Sequence, residues 1–136
     1  QQLLRTQYAE LLNFASTHDA IINGGFYDLQ YINRHHQSEG YDERYVYSFI
    51  RHTAGEKLLI LVNFNRTSAY DLHLRIPAEA LRHIGLIGKK EVHYKGLMNT
   101  TIEGAITPSK LYVEHDRFSG LPLRLEPNSA YVISMY

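Results

Sequence analysis

The hydrophobic period of this chain changes near residue 24, and that change limits its possible folds more than any other feature. From Gln1 to about Thr17, apolar residues follow the spacing of one helical face, namely Leu4, Tyr8, Leu11, Leu12 and Ala15. The stretch Asn23-Gly24-Gly25 then ends the helix, because glycine adopts positive φ at little cost. Farther along, apolar and polar residues alternate with the period of a β-strand.

Eight later segments are predicted to be strands, separated by turn residues. The clearest is "AYDLHLRIP", in which Tyr70, Leu72, Leu74 and Ile76 would face inward. Because a short polar link joins "RYVYSFIRH" to the apolar "KLLILVNFN", these two segments predict a hairpin with its turn at Ala54-Gly55-Glu56. Pro77 is expected to open a short helical turn. The predicted strands are residues 25–32, 44–52, 57–65, 69–77, 89–95, 110–115, 121–125 and 130–136.

These patterns predict a mainly β fold. We expect an antiparallel Greek-key β-sandwich of about seven or eight strands, preceded by one N-terminal α-helix. The absence of alternating strands and helices disfavours a parallel sheet. The expected division places a helix and linker at residues 1–23 and the sandwich at residues 24–136.

Composition limits the kinds of molecule that the chain is expected to bind and the kinds of bond it can form. Fourteen basic and fourteen acidic residues cancel, so neither nucleic acid nor an anionic membrane is expected to bind. The longest apolar run, "LLILV", is far shorter than a membrane span. Cysteine is absent, which excludes disulfides and leaves the compartment open. With no initiator Met and no signal pattern, the chain is expected to be a fragment or a processed form.

No catalytic or metal-binding constellation is found in the sequence. The eight histidines match none of the HxH, HxxxH or HExxH spacings, so neither a metal site nor a cofactor is expected. Carboxylate pairs occur at Asp42 and Glu43 and at Glu114 and Asp116, but their polar neighbours favour solvated surface over the two-carboxylate chemistry of glycoside hydrolysis.

Exposed aromatic rings offer one further hypothesis, since sugars stack their C–H faces on such rings. Most of the 11 tyrosines fall in phase with apolar neighbours. Tyr112 is out of phase with Leu111 and Val113, and Tyr41 lies in the polar stretch "NRHHQSEGYDE". These two residues are the candidate carbohydrate-binding positions.

Several stretches together resemble the C-terminal end of α-amylase-family glycoside hydrolases. The most specific are "AIINGGFYDL", "YSFIRHTAGEKLLILVNF" and "LEPNSAYVI". In that family the last helix of a (β/α)8 catalytic barrel runs directly into a C-terminal antiparallel β-sandwich. The resemblance implies that the opening helix is the final barrel helix and that the two glycines mark the domain boundary.

The same resemblance implies that this chain is inert by itself. The catalytic Asp, Glu and second Asp of the family lie on barrel strands upstream, and no residue here matches their motifs. The parent protein is expected to be a retaining glycosidase or transferase acting on a starch-type α-glucan. The sandwich would then stabilise the barrel, with Leu4, Tyr8, Leu11 and Leu12 in the shared interface.

Alternative functions remain open at this point. Without its barrel, the helix face must fold back on the sandwich, self-associate or fray. A carbohydrate-binding module for α-glucan would use Tyr41 and Tyr112. An unrelated binding sandwich of the immunoglobulin or fibronectin type is disfavoured, because the Cys-Trp-Cys pattern of the former is missing and neither type explains the leading amphipathic helix. A standalone enzyme is the least favoured hypothesis.

Overall fold

A computed structural model shows an antiparallel β-sandwich with helical cover. The structure describes residues 9–11, 13–14, 16–108 and 121–136. Within them, eight strands alternate with short connections. The strands are β1 (Gly25–Asp28), β2 (Val46–His52), β3 (Lys57–Asn63), β4 (Tyr70–Leu74), β5 (Val92–Met98), β6 (Glu103–Ile106), β7 (Leu121–Leu125) and β8 (Ser129–Met135).

The strands form two sheets in which every pairing is antiparallel. The large sheet has the order β1-β2-β3-β8-β5-β6, and the small sheet pairs β4 with β7. Strand β8 therefore returns between β3 and β5, so neighbours in space are distant in sequence, as in Greek-key connectivity. This confirms the predicted mainly β class and strand number.

Helical structure is short throughout the described residues. Residues 9–11 and 13–14 are helical, and Asp19–Asn23 forms a separate helix. Three further pieces are Gln30–Asn33, the 3-10 turn Gln37–Glu39 and the helix Ala78–His83, which begins after Pro77 as predicted.

The main core fills the space between the two sheets. Alternate residues of β3 and β8, such as Leu59, Leu61 and Ile133, are fully buried there. Leu72 and Leu74 of β4 lie opposite, with Asp71 and His73 exposed, which confirms the predicted alternation. The hairpin between β2 and β3 is also confirmed, and the Thr53 N–H donates to the Glu56 carbonyl at 2.8 Å.

Four strand predictions needed correction, one of them the segment 69–77, whose strand ends at Leu74. The segment 25–32 is not one strand: β1 ends at Asp28, whose Oδ1 accepts a hydrogen bond from the Gln30 N–H at 3.0 Å as a helix begins. The strand predicted from residue 89 begins at Val92 instead. Strand β6 was missed because its sequence, "EGAI", carries little β-propensity. The predicted strand 110–115 lies outside the described residues.

The polar stretch 33–43 is more than a surface loop. Asn33 is 1% exposed, and its side-chain amide donates to the carbonyls of Leu29 and Arg75. The Arg75 guanidinium makes a two-pronged ion pair with Glu39, with N···O distances of 2.8 and 2.6 Å. These bonds hold the segment against the end of β4, which sequence polarity alone did not predict.

Candidate functional surfaces

The outer side of the two central strands β3 and β8 is apolar. We call its buried residues, together with Ala20 from the helix that lies over them, the outer-face cluster. Helical residues of the N-terminal segment lie over this cluster, with Leu11, Phe14 and Ile21 packed against it. The large sheet is therefore sandwiched between the small sheet and this helical segment. The cluster comprises Ala20, Leu58, Ile60, Val62, Ala130 and Val132, each at most 6% exposed.

Polar contacts fasten the same segment to the β2–β3 hairpin. The Glu56 carboxylate contacts His18 Nδ1 at 2.7 Å and accepts a hydrogen bond from the Ala20 N–H at 3.2 Å. Arg51 donates to the carbonyls of Ala20 and Ile21 at 3.3 and 2.8 Å. These contacts cross the predicted boundary at residue 23, and they tie the Asp19–Asn23 helix to the sheet.

Of the four residues predicted for a barrel interface, only Leu11 lies among the described residues. Leu11 is partly buried against the outer-face cluster. Leu4, Tyr8 and Leu12 lie outside the described residues. Phe14 was not singled out from the sequence, although it lies three residues after Leu11. Its ring stacks on that of His18 with centroids 3.8 Å apart.

An aromatic patch lies at the edge of this outer face and was not predicted. It consists of Phe26 on the edge strand β1 and of Tyr47 and Phe49 on β2. The Phe49 ring contacts both others, with centroid distances of 5.2 Å to Phe26 and 5.6 Å to Tyr47. Phe49 also packs against the outer-face cluster, whereas Phe26 is 49% exposed. The signal was available, because "RYVYSFIRH" is apolar at both parities.

The prediction that Tyr41 is an exposed ring was wrong. Tyr41 is 1% exposed and lies in the main core. Its hydroxyl donates to Gln30 Oε1 at 2.5 Å and lies 2.9 Å from Ser48 Oγ. Burial raises the pKa of its phenol above the usual range. The ring therefore offers no face to a sugar in this structure. Tyr112, the other candidate, lies outside the described residues.

A shallow cavity of about 220 Å³ opens beside Tyr41, at the end of the sandwich. The Asp42 carboxylate in its wall is 9% exposed and accepts hydrogen bonds from Arg44 and from the Tyr70 hydroxyl. The hydrogen bonds from Arg44 hold the pKa of Asp42 below its usual range. Its neighbour Glu43 contacts His35 instead, at 3.3 Å. Asp42 is thus an ionised structural carboxylate, and within the described residues its neighbour Glu43 is turned to His35 instead of being paired with it for acid–base hydrolysis.

Two histidine rings are in contact near β1. The rings of His52 and His83 lie edge to face at 5.0 Å, and His52 Nε2 is buried without a hydrogen-bond partner. Burial, and then the nearby His83, lower the pKa of His52. On the far side of His83, at 5.0 Å, lies the ring of Tyr27. Burial raises the pKa of the Tyr27 phenol.

The described part of the chain holds no group of three His, Asp or Glu side chains placed to bind a metal ion. His73 and His93, which a pairing of their strands would have brought together, belong to different sheets. The carboxylates Glu114 and Asp116 lie outside the described residues. Among the described helices, none has the length and hydropathy to cross a membrane.

Comparison with known protein families gives a match over most of the chain. The family model described as "Alpha amylase, C-terminal all-beta domain" matches residues 36–135. This span covers β2 to β8 and leaves β1 and the helical segment outside it. A search of curated proteins found no match to the chain.

Proposed function

The chain belongs to the family of alpha amylase C-terminal all-beta domains, and from this premise we propose that it stabilises the catalytic barrel of a parent enzyme that acts on a starch-type α-glucan. The domain is non-catalytic, and the barrel of the parent carries the retaining two-carboxylate chemistry. This role requires the sandwich to be joined to the barrel by packing as well as by the chain.

The observation that carries the proposal is the covered outer face. The N-terminal segment, which resembles a final barrel helix, is packed on the sheet through Leu11 and Phe14. Glu56 and Arg51 hold the following Asp19–Asn23 helix in place. A barrel helix fixed in this way cannot unfold without uncovering the apolar residues of the sheet. The folding free energies of the two units are therefore coupled.

The proposal is tested by removing the sandwich from the complete parent chain. We expect deletion of residues 24–136 to lower the melting temperature of the barrel. At a temperature well below both transitions, kcat/KM on maltoheptaose should stay within about twofold of the parent value, because no catalytic group is lost.

Two outcomes would contradict this proposal. An unchanged melting temperature would refute the stabilising role. Loss of activity from a barrel that remains folded would place catalytic groups in this domain. A substrate panel of starch, cellulose and xylan tests the substrate class separately, since we expect activity on starch alone.

A further inference from the structure

The only Asn-Gly sequence of the chain lies where the Asp19–Asn23 helix ends. We propose that this is a modification site, at which Asn23 deamidates to isoaspartate without an enzyme, and that docking of the helix on the sheet controls the rate. The site is independent of the proposed function, because it depends only on contacts among the described residues and on water as co-reactant.

The reaction follows from the two residue types. The Gly24 nitrogen attacks the side-chain carbonyl carbon of Asn23, and its proton leaves with the side-chain nitrogen as ammonia, which closes a five-membered imide. Water then opens the imide at either carbonyl and gives aspartate or isoaspartate. The net change is the loss of one ammonia and the gain of one water. Glycine favours this attack because it has no Cβ to block the nitrogen or to restrict the backbone.

Three features of the docked helix oppose the attack. The Gly24 N–H donates to the Ala20 carbonyl at 3.1 Å, so the attacking nitrogen is already engaged. The Asn23 side-chain amide donates to Asp19 Oδ1 at 2.7 Å, one helical turn back. Asn23 is also helical, and closing the imide requires a backbone rotation different from the helical ψ of about −42°.

This protection lasts only while the helix is docked, because a helix of five residues is too short to be stable in isolation. Contacts with the sheet hold it in place. Ala20 is 0% exposed within the outer-face cluster, its N–H donates to the Glu56 carboxylate, and its carbonyl accepts from Arg51. When the helix leaves the sheet, Asn23, whose side chain is already exposed, is free to react with Gly24.

The product prevents the helix from docking again. In isoaspartate the main chain runs through the side-chain carbons, so the backbone is longer and the spacing that brings the Gly24 N–H to the Ala20 carbonyl is lost. The new carboxylate also replaces the amide donor beside Asp19 with a like charge, which destabilises a helix at this spacing. Deamidation therefore converts a transient opening into a lasting loss of cover over the outer-face cluster.

Gly24 is required by the same packing that docks the helix. A Cβ at this position would lie 2.1 Å from the Ala20 carbonyl oxygen and 2.8 Å from that of His52, and both are backbone atoms. A residue that slows deamidation therefore does not fit at position 24. The informative substitutions lie at Asn23 and at the contacts that hold the helix.

Peptide mapping of the purified chain tests the proposal. Isoaspartate at position 23 would be followed at neutral pH in the native chain, in the chain unfolded by urea, and in native Glu56→Ala, which lacks the acceptor of the Ala20 N–H. Asn128 is the internal control for global unfolding, because it bonds to the Asn65 carbonyl, beyond the end of β3 that is distant from Glu56. Asn23→Gln is the matched variant, since its longer side chain closes a ring less readily.

We expect isoaspartate at position 23 to form about tenfold more slowly in the native chain than in urea, because the reaction requires local opening. Glu56→Ala should raise the native rate about fivefold and leave the rate at Asn128 unchanged. Asn23→Gln should remove the product. In the converted native chain, amide hydrogen exchange at residues 20–23 should be faster than before conversion.

Contrary results would overturn the inference. Equal rates in the native and unfolded chains would show that docking gives no protection, and a lack of product in urea would show that Asn23 is not reactive. A parallel rise at Asn128 in Glu56→Ala would indicate global unfolding instead of local opening. Unchanged exchange after conversion would exclude the lasting loss of cover. If Glu56→Ala does not fold, Arg51→Gln removes the donors to Ala20 and Ile21 and replaces it in the comparison.

Discussion

The two faces of the large sheet are covered in different ways. The inner face lies against β4, β7 and the Ala78–His83 helix, all of which belong to the family domain. The outer face is covered over β3 and β8 by helical residues from the leading segment, and Phe26 on β1 is left 49% exposed. A face closed by a domain's own strands behaves as a core. A face closed in part by the leading segment depends for its cover on residues outside the family match.

The largest test of this comparison removes the helical cover. Deletion of residues 1–23 should lower the free energy of unfolding by on the order of 5 kcal/mol. Four large side chains of the outer face would become partly exposed, and full exposure of each would cost about 1.5–3 kcal/mol. These are Leu58, Ile60, Val62 and Val132. Urea unfolding and binding of an apolar dye would measure the loss.

The same deletion also tests the predicted domain boundary. If the truncated chain keeps the stability of the longer one, residues 1–23 are a separate unit and the outer face does not depend on them. If it fails to fold, the helical segment is part of the sandwich.

A matched pair of substitutions compares the faces directly. Leu58 and Leu61 lie on the same strand, are both 0% exposed and point to opposite sides of the sheet. We expect Leu61→Ala to lower the free energy of unfolding by about 3–5 kcal/mol and Leu58→Ala by about 2–3 kcal/mol. The outer site is less costly because a short helical cover can collapse into the cavity more readily than a strand can.

Chemical denaturation of both variants checks this prediction. A larger effect at Leu58 than at Leu61 would reverse the comparison, and it would make the outer face the more rigid of the two.

A smaller effect is expected at the polar tie between the segment and the hairpin. Glu56→Ala removes the acceptor of the Ala20 N–H and the partner of His18, and it should lower the free energy of unfolding by about 1–2 kcal/mol. Hydrogen exchange at the amides of residues 20–23 should rise at the same time. Glu91→Ala is the control, because Glu91 is exposed and lies 3.8 Å from His93. Equal effects of the two substitutions would argue against the tie.

The smallest effect concerns pH. The pKa of His52 in the folded chain is lowered by burial and by His83, Lys57 and Arg51. Below its ordinary pKa of 6.5 the unfolded chain binds the proton first, so the free energy of unfolding falls as pH drops from 6.5 toward the lower folded pKa.

Replacing His52 by Gln should make this decline shallower than in the unsubstituted chain. Urea midpoints at several pH values would measure both slopes. Asp42 and Glu39, whose pKa values are lowered by Arg44 and Arg75, contribute only as pH falls through the carboxyl range. The two windows are therefore separate, and identical slopes in the variant and the unsubstituted chain would count against a special role of His52.

Local patterns in the sequence predicted the elements whose burial and turns depend only on nearby residues. The alternation from Tyr70 to Ile76 predicted which side chains face the core, and the polar link at Ala54-Gly55-Glu56 predicted the hairpin. Tyr94 and Tyr131, in phase with apolar neighbours, are 9% and 5% exposed, as expected. Such predictions succeed because period and turn chemistry act over a few residues.

The polarity of neighbouring residues gave the wrong burial where contacts distant in the chain determine it. Tyr41 lies in a polar stretch, but its ring is buried in the main core, and its hydroxyl hydrogen-bonds with Gln30 and Ser48. Asp42 is nearly buried for a similar reason, since Arg44 and Tyr70 supply its hydrogen bonds. The same holds for Phe14, whose role depends on the contact between the helical segment and the sheet.

By itself, the sequence determined the fold class, the positions of most strands, the family and the lack of a recognisable catalytic motif. Fold class and strand positions follow from residue type and local spacing, whereas the family follows from the resemblance of whole stretches such as "LEPNSAYVI" to its members. The two-sided apolar run of β3 was itself visible in the sequence. Only the tertiary structure decided that its outer side is covered from the N-terminal side, that Tyr41 is buried, and that Phe26, Tyr47 and Phe49 form one patch. Those facts depend on strand order and register, because pairing β1 with β2 and β8 with β3 joins residues that are distant in the chain.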